Sequence, residues 1–188
     1  MRILRTVVAL MLLLGPGVAS AKVLLDTDLI YFQDSKTTSA TSTRTGSFYS
    51  GALLVDATGK ETLYLGAILG MGSVVISGGT RETFSHQDVI LGGRWFIGRQ
   101  RLMSLSLGYG VLARGDLKES SATPREKWEG TSLYGKVTVA PQFRQWTAGI
   151  SLIYHQVNYV EKTVQGTTSK DTFQRTMIWP AISLGYKW

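Results

Sequence analysis

The carboxy-terminal stretch Met177-Ile-Trp-Pro-Ala-Ile-Ser-Leu-Gly-Tyr-Lys-Trp188 alternates between large apolar residues and small or polar ones. One set of alternate positions holds Ile178, Ile182, Leu184, Tyr186 and Trp188, and the other holds Ser183, Gly185 and Lys187. Successive side chains of a β-strand point to opposite faces of a sheet. The stretch therefore predicts a strand with one apolar face, and the rest of the chain shows how many such strands there are.

Eight segments of the sequence show this alternation, and no long apolar stretch of helical period occurs after residue 22. The segments are 23–34, 47–56, 62–76, 87–97, 102–114, 128–140, 146–160 and 172–188. Short connections at 57–61, 98–101 and 141–145 alternate with longer ones at 35–46, 77–86, 115–127 and 161–171. An even strand number with this alternation is typical of bacterial outer-membrane barrels, whose short turns face the periplasm. The sequence predicts an all-β fold, an eight-stranded antiparallel up-and-down transmembrane β-barrel with both termini periplasmic.

A soluble lipocalin-like barrel would show the same period with its apolar face inward. The strand from Leu63 to Ile76 has no charged residue on either face, whereas a soluble exterior would be rich in charge. Aromatic residues on the apolar face also lie near the strand ends, with Trp at one end and Tyr at the other, as expected for rings at two membrane interfaces. The predicted girdles are Trp95, Trp146 and Trp188 at the periplasmic end, and Tyr31, Tyr49, Tyr109 and Tyr154 at the outer end.

The amino terminus has the pattern of a secretory signal peptide. Arg2 and Arg5 precede an apolar run, and Ala19-Ser20-Ala21 supplies a cleavage site. Residues 1–21 are predicted to be cleaved, which leaves residues 22–188 as one barrel domain and lowers the formal charge from +7 to +5. The remaining basic residues are scattered, so nucleic acid is not expected as a partner. Anionic lipid headgroups are the expected partners instead. The chain has no cysteine for disulfides or thiolate metal sites.

The ending of the chain resembles the carboxy-terminal signature of bacterial outer-membrane β-barrels, with Ile182, Leu184, Tyr186 and Trp188 at its positions. The size and strand count resemble the small eight-stranded OmpA/OmpX-type barrels. The resemblance implies an outer-membrane location. It also implies that the barrel-assembly machinery recognises these four residues during biogenesis.

Five charged residues share the predicted lumen face near its periplasmic end, and we expect a network among them: Asp26, Asp28, Arg94, Lys136 and Lys187. If Leu25 and Trp188 lie at the same depth, Asp26 pairs with Lys187 across the seam, and Asp28 reaches Arg94 or Lys136. Buried charges need such partners. The network is interpreted as a structural plug, with an ion pathway as the alternative.

The two histidines are candidates for other roles. His155 has lumen parity and is predicted to face Trp179, which follows if Trp146 lies level with Trp188. His86 is placed in the second outer loop, in solvent. Lipid A deacylases among small outer-membrane barrels use a membrane-facing histidine with a nearby serine. Val157 occupies the position two residues after His155, so this local pattern is missing.

We therefore predict a monomeric structural or surface-interaction protein with a filled, non-conducting lumen, no cofactor, no metal and no catalytic residue. The loops 35–46, 77–86, 115–127 and 161–171 would meet lipopolysaccharide or a surface partner. Their basic residues include Lys36, Arg44, Arg81, Lys118 and Arg125. The alternatives are a lipid A-modifying enzyme and a narrow channel or hydrophobic-ligand conduit.

Overall fold

The computed structural model describes residues 22–37, 41–77, 81–119 and 123–188. The predicted signal peptide, residues 1–21, lies outside the described residues. Within the described ranges, no helix has the length and apolar composition needed to cross a bilayer.

Nine strands follow one another in the part of the chain that the structure describes. They are β1 Val23–Thr37, β2 Thr41–Asp56, β3 Leu63–Ser77, β4 Glu82–Ile97, β5 Met103–Lys118, β6 Glu126–Val139, β7 Gln142–Phe143, β8 Trp146–Val164 and β9 Thr167–Lys187. β7 is a two-residue strand in the turn before β8 and pairs only with the start of β8. The eight long strands pair antiparallel in chain order, β6 pairs with β8, and β9 returns to β1. The predicted eight-stranded antiparallel up-and-down barrel is confirmed.

The two faces of the barrel wall differ as the alternation predicts. On β5, Leu107 is 60% exposed on the outer surface, whereas the neighbouring Ser106 is 2% exposed and faces the interior. Around the ring, large apolar side chains are exposed on the outer face, and the inner face holds charged and hydroxyl side chains together with buried aromatic and aliphatic ones. The amphipathic pattern of the strands is therefore inverted relative to that of a water-soluble barrel.

At the end of the barrel opposite the termini, the strands run much farther than the sequence suggests. The predicted long loop 161–171 is strand except for the two-residue turn Gln165–Gly166. Both turn residues have positive φ, 50° and 87°, as a type I′ hairpin turn requires. Most of the described residues of 35–46, 77–86 and 115–127 are also strand. The predicted loop 161–171 was wrong, and the other three predicted loops were too long, because a strand with polar residues on both faces shows no apolar alternation beyond the apolar belt.

The strand register also differs from the sequence expectation. Leu24 pairs with Lys187 at the seam, and Trp146 pairs with Tyr186 between β8 and β9. The sequence instead predicted that Trp188 lies level with Leu25 and with Trp146. Both observed registers therefore differ from the predicted ones by two residues. A shift of one residue would turn every side chain to the wrong face, but a shift of two preserves the faces. Alternation in the sequence therefore could not detect this error.

Candidate functional site

Among the described residues, the inward-facing side chains include two buried polar clusters. The first, the charge cluster, consists of Asp26 and Asp28 on β1, Arg94 on β4 and Lys136 on β6. Arg94 Nη1 lies 2.7 Å from Asp26 Oδ1, and Lys136 Nζ lies 3.0 Å from Asp28 Oδ2 and also pairs with Asp26. All four side chains are at most 3% exposed. Because each of them contacts a group of opposite charge, every charge in the cluster has a buried partner.

Serine hydroxyls add hydrogen bonds to the charge cluster. Ser50 Oγ donates to Asp28 Oδ2 over 2.6 Å, and Ser183 donates to the other oxygen of the same carboxylate. Arg94 Nε donates to Ser104 Oγ over 2.8 Å. These contacts give the serines of the inner face a role: short hydroxyl side chains satisfy buried charges without filling the space that the long cations need.

Lys187 lies apart from this cluster. Asp26 sits opposite Gly185 rather than beside Lys187, so the predicted pair of Asp26 and Lys187 was wrong. The reason is the two-residue shift at the seam. Lys187 Nζ instead donates to Gln142 Oε1 over 3.3 Å and lies 4.1 Å from the centroid of the Phe96 ring. Lys136 takes the place beside Asp26 that the sequence assigned to Lys187.

The second cluster, the histidine cluster, consists of His86 and Asp88 on β4, Ser132 on β6 and His155 on β8. His155 Nε2 lies 2.8 Å from Asp88 Oδ2, and Ser132 Oγ donates to the same oxygen over 2.7 Å. His86 Nε2 lies 3.5 Å from Asp88 Oδ1. All four residues are at most 4% exposed. The prediction that His86 is solvated was wrong, because β4 starts at Glu82 and carries His86 into the barrel wall.

Irregularities in the wall make room for the histidine cluster. The β4–β5 register shifts between Val89 and Ile90, directly after Asp88. Such bulges re-aim side chains near functional sites. Gly70 on β3 lies opposite Asp88, and a Cβ at Gly70 would overlap Asp88 Oδ1. Tyr159 Oη hydrogen bonds with His86 Nδ1 at 3.1 Å and fixes the orientation of that ring.

An aromatic ring separates the two residues that were predicted to pair across β8 and β9. The centroid of Phe48 lies 5.9 Å from that of His155 and 4.6 Å from that of Trp179. His155 sits opposite Met177, and Trp179 sits opposite Ile153. The predicted His155–Trp179 pair was wrong for the same two-residue reason, although both side chains are buried in the interior.

A third interior group consists of aromatic rings near the end of the barrel opposite the termini. Phe84, Tyr159 and Phe173 are mutual neighbours, with centroids 5.9 to 6.3 Å apart. Trp128 lies 5.4 Å from Phe173, and the Arg175 guanidinium lies 4.2 Å from the centroid of Phe84. The extended hairpins therefore enclose an aromatic core of their own.

The residues predicted to form aromatic girdles lie on the outer surface. All seven are 40% exposed or more: Trp95, Trp146, Trp188, Tyr31, Tyr49, Tyr109 and Tyr154. Of the four positions of the predicted assembly signal, Ile182, Leu184 and Trp188 are exposed on the same surface. Tyr186 is partly covered by Trp146, with ring centroids 4.7 Å apart.

Sequence reasoning missed Asp88, Ser132, Tyr159 and Phe48 as site residues. A signal for Asp88 existed, because His86, Asp88 and Arg94 are separated by even numbers of residues and so share one face of a strand. Asp88 already lies within the predicted strand 87–97, and extending that strand toward Glu82 would have placed His86 beside it in the lumen. The contact between β4 and β8 had no signal in the sequence, since it depends on how the ring closes.

No protein-family model matches the sequence, and no curated protein matches it either. Solved structures do match. The translocator domain of the autotransporter NalP from Neisseria meningitidis is 15% identical, with a TM-score of 0.45 over 96% of this chain, which spans 66% of that domain. Neisserial surface protein A (NspA) is 10% identical, with a TM-score of 0.46, over 90% of this chain and 98% of that one.

The N-terminal β-barrel domain of OprF from Pseudomonas aeruginosa is 12% identical, with a TM-score of 0.41 and the same coverage as NspA. Similarity at this level carries no argument about what the chain does.

Proposed function

We propose that this protein is an integral β-barrel of the bacterial outer membrane with a sealed, non-conducting lumen, acting as a structural or surface-interaction protein through its extended outer hairpins. The observation that carries the proposal is the wall of the barrel, whose outer face is a belt of large exposed apolar side chains while its inner face holds the buried charged and hydroxyl side chains together with apolar ones. Both termini would be periplasmic. Lipopolysaccharide and other outer-membrane lipids would surround a monomer, and the barrel-assembly machinery would insert it by recognising Ile182, Leu184, Tyr186 and Trp188.

The dimensions of the apolar surface support a membrane location. On β8 the outward side chains from Trp146 to Tyr154 are apolar or small, and beyond them Gln156 and Asn158 take the outward positions. Eight residues rise about 20 Å at a typical barrel tilt, close to the apolar band of outer-membrane barrels. An exposed apolar belt of this extent would drive a soluble protein to aggregate. A bilayer supplies the matching environment.

The interior contacts support a sealed lumen. Lys136 on β6 reaches Asp26 and Asp28 on β1, and His155 on β8 reaches Asp88 on β4, so side chains meet across the barrel at two depths. Phe48 and Trp179 pack beside the histidine cluster. An eight-stranded barrel is just wide enough for side chains to fill. An ion crossing it would have to break buried ion pairs.

The shape of the outer end supports a role at the cell surface. From Gln156 to Val164, β8 continues beyond the apolar belt for about 20 Å at the same tilt. Charged residues such as Lys170 and Asp171 are exposed on the facing strand. Rigid hairpins with mixed charge are suited to contacts with lipopolysaccharide phosphates or with a protein on another surface.

The geometry favours this role over a lipid-modifying enzyme. Ser132 Oγ donates its hydrogen bond to Asp88 Oδ2, whereas the serine of a Ser-His-Asp relay donates to the histidine. Both histidines are buried inside the barrel, away from the outer surface where lipid would lie.

Two experiments test the proposed function. Planar-bilayer recording of the purified, folded barrel is expected to show no sustained discrete conductance, and such conductance would overturn the sealed lumen in favour of the channel or conduit. Mass spectrometry of lipid A from cells with and without the gene is expected to show identical acylation. Altered acylation in the presence of the gene would overturn the non-enzymatic role.

A further inference from the structure

The histidine cluster contains buried polar atoms that lack a hydrogen-bond partner among the described residues. His86 Nε2 and Asp88 Oδ1 face each other at 3.5 Å, and neither atom has such a partner. Both side chains are at most 2% exposed. An unsatisfied buried polar atom is costly, and one on a carboxylate is more so. This arrangement calls for a bound group between the two atoms.

Asp88 differs from the other buried carboxylates in its partners. Asp26 and Asp28 lie beside a guanidinium and an ammonium group, those of Arg94 and Lys136. Among the described residues, the ion-pair partners of Asp88 are His86 and His155. An imidazole compensates a carboxylate charge only in its protonated form. A bound cation would supply a positive charge at this point without protonation of either ring.

We propose that His86, Asp88 and His155 bind one divalent transition-metal ion, of which Zn²⁺ is the reference case, inside the outer half of the barrel. One donor atom from each residue lies within 4.8 Å of the other two. Zinc bound at about 2.0–2.1 Å places neighbouring tetrahedral ligands about 3.4 Å apart. The 3.5 Å between His86 Nε2 and Asp88 Oδ1 agrees with that spacing.

The chemistry of the donors selects the class of ion. Two imidazoles and one carboxylate suit first-row transition ions such as Zn²⁺, Ni²⁺ or Fe²⁺, whereas Mg²⁺ and Ca²⁺ prefer oxygen ligands throughout. Three protein ligands leave one position of a tetrahedral ion open.

Neighbouring side chains are already placed as an outer shell around these donors. Tyr159 Oη hydrogen bonds with His86 Nδ1 at 3.1 Å, which leaves Nε2 of that ring turned toward Asp88. Ser132 Oγ donates to Asp88 Oδ2 and so orients the carboxylate. Metal-binding histidines and carboxylates are held by such partners in established sites. Gly70 keeps the space next to Asp88 Oδ1 free of a side chain.

A bound ion would connect parts of the barrel that are not hydrogen bonded to each other. His86 and Asp88 lie on β4 and His155 lies on β8, with β5 and β6 between them in the ring. The ion would therefore cross-link opposite sides of the wall at the level where the outer hairpins leave the apolar belt.

The sequence makes the site unusually easy to test, because the chain has two histidines, both in this cluster, and no cysteine. Tag-free barrel, folded in detergent micelles and stripped with a chelator, is titrated with Zn²⁺ and, separately, with Co²⁺. We expect one Zn²⁺ per chain, a higher midpoint of thermal unfolding with Zn²⁺, and a visible Co²⁺ spectrum of low coordination number. Folded wild-type protein that takes up no stoichiometric Zn²⁺ or Co²⁺ would overturn the site without reference to any variant.

Variants assign the ligands. Asp88→Asn and His155→Gln are expected to weaken Zn²⁺ binding at least tenfold, roughly the scale seen when even outer-shell partners are lost. Asp171→Asn, the same change at an exposed carboxylate, is expected to bind Zn²⁺ as the wild type does. Folding of each variant is checked by its heat-dependent gel mobility. Equal Zn²⁺ affinity in the folded Asp88→Asn variant and the wild type would overturn the proposal, whatever the outcome of the bilayer recordings.

Discussion

Lys136 on β6 places its ammonium 3.0 Å from the Oδ2 atom of Asp28 on β1, although β8 and β9 lie between these strands on one side of the ring and four strands lie between them on the other. The contact spans the interior. It therefore ties opposite walls together at the level of the charge cluster.

The first prediction concerns this cluster. Asp28→Asn leaves the buried Lys136 and Arg94 with one carboxylate instead of two, and we expect the free energy of unfolding to fall by about 3 kcal/mol. Reversible urea unfolding in lipid vesicles measures the change. Asp171→Asn, at an exposed position on β9, serves as the control and is expected to change stability by less than about 0.5 kcal/mol. Equal stability of both variants would contradict the structural role of the cluster.

A second prediction concerns packing in the interior. Phe48 is fully buried between His155 and Trp179, so Phe48→Ala leaves a cavity and is expected to cost about 3–5 kcal/mol of unfolding free energy. Phe143→Ala removes the same side chain from the exposed turn strand β7 and is expected to cost less than about 1 kcal/mol. The same unfolding assay compares them. Similar losses for the two variants would mean that Phe48 is not packed in a closed interior.

The third prediction concerns the register of β1 and β9 at the seam. It is simple to test because the chain has no native cysteine. Cysteines at Leu25 and Tyr186, which are directly paired, are expected to form a disulfide on mild oxidation. Cysteines at Leu25 and Trp188 are diagonal neighbours at about 7–8 Å and are expected to remain reduced. Peptide mass spectrometry distinguishes disulfide-linked from reduced cysteines in both variants. Efficient cross-linking of the second pair alone would restore the register expected from the sequence.

A fourth prediction concerns pH and the turn between β2 and β3, outside the spanning strands. The Lys22 ammonium, which hydrogen bonds to Glu61, holds the pKa of Glu61 below its ordinary value of 4.5, and Arg101 adds to the effect. A lowered folded-state pKa contributes stability above the unfolded-state pKa, and this contribution is lost as pH falls through the folded-state value.

Glu61→Gln is therefore expected to cost up to about 1 kcal/mol at neutral pH and nothing at strongly acidic pH. Urea unfolding of wild type and variant across this pH range tests it. A stability difference that stays constant down to the lowest pH would contradict the assigned ion pairs.

The wall of the barrel could be predicted from the sequence, whereas most contacts in its interior could not. Alternation of side chains gave the strand count, the antiparallel order and the outward face of residues such as Leu107, because each follows from local periodicity. The contact of Asp26 with Lys136, in place of Lys187, depends on a register that alternation does not determine. Likewise, His86 looked solvated because the strand that carries it continues past the apolar belt, where no hydrophobic pattern marks it.

The most direct test of the membrane barrel is the environment of its outer surface in lipid. Spin labels placed on single cysteines at Ile150 and Ile182, both more than 60% exposed, report collisions with dissolved oxygen or with a water-soluble nickel chelate in vesicles. A label at Lys170, in the hairpin of β8 and β9, is the reference for a site exposed to water. We predict that oxygen dominates at Ile150 and Ile182 and the nickel chelate at Lys170. Nickel accessibility at Ile150 and Ile182 equal to that at Lys170 would contradict the account.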